Sequence, residues 1–162
     1  MKISRKKIIV FSTCLLLLMS IVGCQSKISF TTLESGEDAN YGLRKPLLFI
    51  ISSKNELSQI PTSILSSGQV KPLNELDYEH HFAIVIFYGP RLPDESLYKV
   101  DRITKEKDQV IIEVVPETAP TNNKSNNSIS PYEIISIEKG VLSKSTYSFL
   151  LKALIMVKTP SP

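Results

Sequence analysis

Two adjacent histidines, His80 and His81, are the only imidazoles in the 162-residue chain. With Asp77 and Glu79 beside them they raise two chemistries, a metal site and a general base. A metal site needs several ligand atoms aimed at one point. The pair precedes the apolar run Phe82 to Tyr88, so it falls at a strand entrance. Adjacent residues there face opposite ways, and the two rings cannot easily share one ion. Glu79-x-His81 supplies at most two ligands, with no evident third. The expectation is that both histidines are surface residues capping the strand and hold no metal. Ser96-Leu97-Tyr98-Lys99 and Ser136-Ile137-Glu138-Lys139 both match S-x-x-K. An acyl-enzyme of that type needs the Lys amine near the Ser hydroxyl, which a helix provides. Both matches lie in strand patterns, where residues three apart face opposite ways. No Gly-rich phosphate loop, G-x-S-x-G turn, paired-His helix or EF-hand loop is present. Asp94, Glu95, Asp101 and Asp108 sit in turns, where solvated charge is the default. No catalytic residue, cofactor site or metal site is assigned.

The cysteines are Cys14 and Cys24. Lys2, Arg5, Lys6 and Lys7 make a basic start, and Ile8 to Val22 is a mostly apolar stretch of about fifteen residues. That suits a secretory signal and is short of the roughly 20 residues a spanning helix needs. It closes on Ile21-Val22-Gly23-Cys24, which resembles the lipobox of bacterial lipoproteins. The resemblance implies cleavage between Gly23 and Cys24 and acylation of the Cys24 thiol, palmitate being a typical chain. Two or three acyl chains hold a protein on a membrane for practical purposes permanently. The expected location is membrane-anchored and outside the cytoplasm, in a bacterial cell envelope.

Removing the first 23 of 162 residues leaves 139. Four of the nineteen basic residues leave with them, so fifteen face sixteen acidic ones and the formal charge moves from +3 to −1. The basic character of the precursor belongs largely to the targeting segment and gives no argument for nucleic acid. With Cys14 lost and Cys24 acylated, the mature fold has no disulfide and no thiolate chemistry. One packed core must stabilise it.

The elements that follow are read from periodicity. Ile28 to Leu33 alternates as a first strand, after a tether over residues 24–27. Pro46 leads into the apolar strand Leu47 to Ile51. Ser53-Lys54-Asn55-Glu56 has the form of a capping box, with a short helix from about Lys54 to Ile60, interrupted by Pro61. Ser66-Ser67-Gly68 ends that region. Phe82 to Tyr88 is apolar on both faces and reads as a central strand covered on both sides. Leu97 to Thr104 and Gln109 to Val115 form an antiparallel hairpin, with Asp101 and Arg102 on opposite faces. Pro116 to Ser130 is the longest loop. Tyr132 to Glu138 is another strand. Tyr147 to Val157 fits either helix or strand, and strand is favoured because the rest is sheet. The expected fold is α+β, mostly antiparallel sheet with one short helix. The expected organisation is a cleaved lipoprotein signal at 1–23, a lipidated tether at 24–27 and a single sheet-rich domain at 28–162.

The order from Phe49 to Gly140 is strand, capped helix, apolar strand ending in Gly89, charged hairpin, Pro-bearing loop, then Ser130-Pro131-Tyr132-Glu133-Ile134-Ile135 and Lys139. It resembles the C-terminal domain of the PrcB family, small bacterial lipoproteins with an accessory role in a surface protease complex. Where that family has a Gly-Gly pair, this chain reads Pro93-Asp94-Glu95-Ser96. The resemblance implies a non-catalytic extracytoplasmic domain. The function expected is a membrane-anchored, non-enzymatic lipoprotein that binds another protein. The alternative is a binding module for a small ligand or envelope polymer, using the loops Gly89 to Ser96 and Pro116 to Ser130.

Overall fold

The computed structural model describes residues 26–92, 96–117, 128–142 and 148–153. The expected signal, its cleavage point at Gly23 and Cys24, and the middle of the long loop lie outside the described residues. The alternating segments form eight strands: β1 (Ser26–Ile28), β2 (Thr31–Gly36), β3 (Leu47–Ile51), β4 (His81–Phe87), β5 (Leu97–Glu106), β6 (Gln109–Glu117), β7 (Tyr132–Glu138) and β8 (Ser148–Ala153). A 3-10 helix, η1 (Lys54–Gln59), and an α-helix, α1 (Ser67–Glu75), lie between β3 and β4. The strands make two sheets of four, ordered β1-β5-β6-β8 and β2-β7-β4-β3. Neighbours are antiparallel except β6 and β8, which run parallel. The fold is the α+β, mostly antiparallel arrangement that the alternation predicts.

The layering follows from side-chain faces. Strand β4 lies between β3 and β7, and every residue from Phe82 to Phe87 is 0% exposed. Phe82, Ile84 and Ile86 face the other sheet, against Val100, Ile103, Val110, Ile112 and Val114. Ala83, Val85 and Phe87 face a helical layer that supplies Ile60, Leu65 and Leu73. Both faces are apolar because both are covered, so β4 shows no polar alternation. Each large aliphatic or aromatic side chain buried this way contributes about 1.5–3 kcal/mol.

Several local expectations change. The first strand breaks after Ile28: β1 pairs with β5 in one sheet, and β2 resumes at Thr31 beside β7 in the other. Ser26 and Lys27, read as tether, are already strand, opposite Lys105 and Thr104. The Ser53 side chain makes no capping bond. Glu56 instead accepts from the Ser52 amide and hydroxyl, both at 3.0 Å. The true capping box is Ser66–Gln69, where each side chain bonds the other's amide. Ser66 thus starts a second helix where Ser66-Ser67-Gly68 reads as a terminator. That helix tolerates Pro72 at the loss of one backbone bond.

Asp101 and Arg102 do not take opposite faces; both are exposed. The pairing register shifts between Val100 and Arg102. Inward residues Val100 and Ile103 are three apart, and a bulge absorbs the extra residue. The tight turn into β6 uses Lys107 at φ 55°, the left-handed conformation two-residue hairpins require.

Candidate functional site

A cleft of about 410 Å³ opens between the two sheets, lined by Thr32, Ser35 and Glu37 on one side and Tyr98, Lys99 and Glu117 on the other. Tyr132 and Glu133 are part of its wall. Glu133 lies on β7 and shares the inter-sheet face with Ile135 and Ile137. It is only 4% exposed. A buried carboxylate is expensive unless hydrogen-bonded, and among the described residues this one has three donors. Its Oε2 accepts from the Tyr88 hydroxyl and the Val100 amide, each at 2.9 Å. Its Oε1 accepts from the Thr32 hydroxyl at 3.1 Å.

The backbone explains why Val100 can donate. β1 covers β5 only at Ile103, Thr104 and Lys105, and the bulge follows Val100 directly. Glu133 therefore ties β7 to β5 across the sandwich and to β2 within its own sheet. Burial, then the charge and hydrogen bond of Glu133, push the Tyr88 hydroxyl well above its ordinary pKa.

Aromatic rings continue outward from this bond. Tyr88 and Tyr98 lie 6.0 Å apart by ring centroid. The Arg91 guanidinium sits 4.3 Å from the Tyr98 ring centre, a favourable cation–π distance. At the rim, Lys99 pairs with Glu117 at 2.8 Å, and that hydrogen bond raises the Lys99 pKa. Tyr132 lies on the opposite face of β7, under Gly36, where a Cβ would stand 2.8 Å from its ring. Burial, then the charges of Glu34 and Asp38, push Tyr132 up to about 12.

The residues singled out from sequence lie elsewhere. His80 is exposed and its Nδ1 is 2.7 Å from Asp77 Oδ2, which together with the Glu79 amide lowers the Asp77 pKa. The ligand atoms of Asp77, Glu79 and His80 lie within 4.8 Å of one another, and all three residues are exposed. His81 is apart from them, inside β4 opposite Glu138, with a buried Nδ1 that has no hydrogen-bond partner among the described residues. Neither S-x-x-K match frees its lysine: Lys99 holds Glu117, and Lys139 donates to the Tyr78 carbonyl oxygen.

A second concavity, about 800 Å³, lies on the helical layer between η1 and α1. Leu57, Ile60, Pro61, Leu65 and Val70 make it apolar, with Ser58, Thr62, Ser67 and Asn74 around them. Sequence reasoning missed Glu133 and this groove. For Glu133 a signal exists: it is a carboxylate inside Tyr132-Glu133-Ile134-Ile135-Ser136-Ile137, a run apolar enough to be buried on both faces.

No family model, curated protein or solved structure matches the chain. Among the described residues no helix is long and apolar enough to cross a membrane.

Proposed function

We propose that this chain is a membrane-anchored extracytoplasmic lipoprotein, acylated at Cys24, that acts without catalysis as a protein-binding or accessory subunit, as the PrcB resemblance implies. The observation that carries the binding role is the open apolar groove between η1 and α1, about 800 Å³ in volume. Apolar concave surface of that extent fits a protein segment better than a soluble polar metabolite. The buried carboxylate Glu133 is committed to Thr32, Tyr88 and Val100, which suits a structural tie rather than an acid or base in turnover.

A second reading, a small polar ligand or an envelope polymer in the inter-sheet cleft, is favoured by one detail. Among the described residues Glu133 Oε1 receives a single donor, and a carboxylate oxygen can accept two. A ligand hydroxyl could take the second position.

The test has two arms. Cys24→Ala should stop incorporation of labelled palmitate and leave uncleaved or misprocessed precursor; unchanged labelling would sink the anchor. Photo-crosslinking from Val70, compared with Ser35 in the cleft, reports the binding surface. A protein adduct from Val70 supports the favoured reading, whereas saccharide or small-molecule protection confined to Ser35 supports the second.

A further inference from the structure

A sheet edge presents unpaired N–H and C=O groups, and natural edges are usually guarded by charge. Among the described residues four strands are edges: β1 and β8 in one sheet, β2 and β3 in the other. Three of them carry a charged residue within the strand, namely Lys27, Glu34 and Lys152. β3 is Leu47-Leu48-Phe49-Ile50-Ile51 and carries none.

Both faces of β3 are also unfinished. Leu48 and Ile50 pack against the inter-sheet core, while Leu47 and Phe49 pack against the core under the helical layer. All four remain partly exposed. A strand added beyond β3 would extend both cores at once and pair the backbone groups facing away from β4.

The flanks select the occupant. Arg44 and Lys45 precede β3, Lys54 follows it, and all three are exposed. Among the described residues none of them forms an ion pair. Isologous pairing of two copies across an edge is antiparallel. Centred on Phe49 it would set Arg44 opposite Lys54; shifted by one residue it would set Lys45 there. Like charges directly opposite each other destabilise a sheet. A second copy is thus disfavoured, and acidic residues at the same places would be attracted.

We propose that β3 accepts an extended segment of a partner protein, apolar at alternate positions and acidic at both ends, as a fifth strand of the sheet β2-β7-β4-β3. This rests on the protein-binding reading above and adds a second contact surface, apart from the groove between η1 and α1. Such strand addition draws affinity from the main chain and specificity from side chains and flanks.

The test uses the full chain in detergent micelles and two synthetic nonapeptides with one Val-Thr-Val-Thr-Val core, flanked by Asp-Glu or by Lys-Lys. The acidic peptide should slow hydrogen exchange at every second amide from Leu47 to Ile51 and bind roughly tenfold more tightly than the basic one. The advantage should shrink in high salt. The triple variant Arg44→Glu, Lys45→Glu, Lys54→Glu should reverse the preference. Equal affinities overturn the proposal, as do protection confined to Leu57 to Val70 or to the cleft, concentration-dependent self-pairing at β3, or no protection with either peptide. Protection confined to Leu57 to Val70 would leave the groove as the contact and the parent reading standing, and palmitate labelling at Cys24 and the Val70 adduct test that reading separately.

Discussion

Removing the Glu133 carboxylate isolates the cost of the tie between the sheets. Glu133→Ala leaves the Tyr88 hydroxyl and the Val100 amide without their acceptor. Those residues are 3% and 6% exposed, so water does not replace it readily. An orphaned buried donor costs about 1–3 kcal/mol, which puts the pair at about 2–6 kcal/mol. Thr32 is exposed and rehydrates. Against a domain stability of about 5–15 kcal/mol, the Ala variant should be severely weakened. Glu133→Gln keeps one carbonyl oxygen for Tyr88 and Val100 and can point its amide at the Thr32 oxygen. It should lose only the charge assistance, about 1 kcal/mol. Urea unfolding of both variants, read at the midpoint with unchanged m, measures the difference. Native-state hydrogen exchange should show the Val100 amide as the first in β5 to lose protection in Glu133→Ala. An Ala variant within about 0.5 kcal/mol of the parent, or a Gln variant as damaged as Ala, would refute the reasoning.

Three further outcomes follow from the packing. Ile84→Asp places a carboxylate at a position 0% exposed, with no partner for it, and should abolish cooperative thermal unfolding; a normal melt would remove β4 from the centre. Gly89→Ala puts a side chain at φ 84° with its Cβ 2.9 Å from the Leu43 carbonyl oxygen, so chemical denaturation should show a loss of about 1–3 kcal/mol. The folded pKa of Tyr132, about 12, lies above the ordinary 10.0, so the neutral phenol is favoured by folding. That stabilisation is complete below pH 10 and is lost as pH rises from 10 toward 12, at up to about 1.4 kcal/mol per unit. Unfolding at pH 9 and 11 should therefore show a shallower decline for Tyr132→Phe than for the parent; identical declines would count against it.

Strands whose apolar residues satisfy one simple period were legible. β3, β4, β6 and β7 lie where alternation or unbroken apolar runs put them, and of the stretch Tyr147 to Val157 read as strand, Ser148–Ala153 is one, paired with β6, while the rest lies outside the described residues. Legibility failed where the chain changes partner or phase without changing composition. Nothing between Ile28 and Thr31 marks the passage from one sheet to the other. The bulge at Asp101 is a break in the alternation, with Asp101 and Arg102 in a row between inward Val100 and Ile103, and reading Leu97 to Thr104 as one regular strand passes over it. At Ser66 the same Ser and Gly that suggest an end supply the cap of α1, since only Gln69 three residues later distinguishes the two. Glu133 was visible as an acid in an apolar run, but its partners come from Thr32, Tyr88 and Val100, which are far away in sequence and meet only after both sheets pack.

The early start of β1 has a consequence for how the domain stands. Ser26 is already paired with Lys105 at the turn end of the β5–β6 hairpin, and only Gln25 separates it from Cys24, a reach of about 7 Å at most. With Cys24 acylated as proposed, so short a link would keep the hairpin turn at Lys107 and Asp108 near the lipid headgroups. Lys99, on the cleft rim, is six residues further along β5, about 20 Å at strand spacing. Leu47, paired with Phe87 and through it level with Tyr132, lies toward that same far end. The sandwich would stand upright on its anchor, cleft outward, with β3 running down its flank from the outer end toward the bilayer.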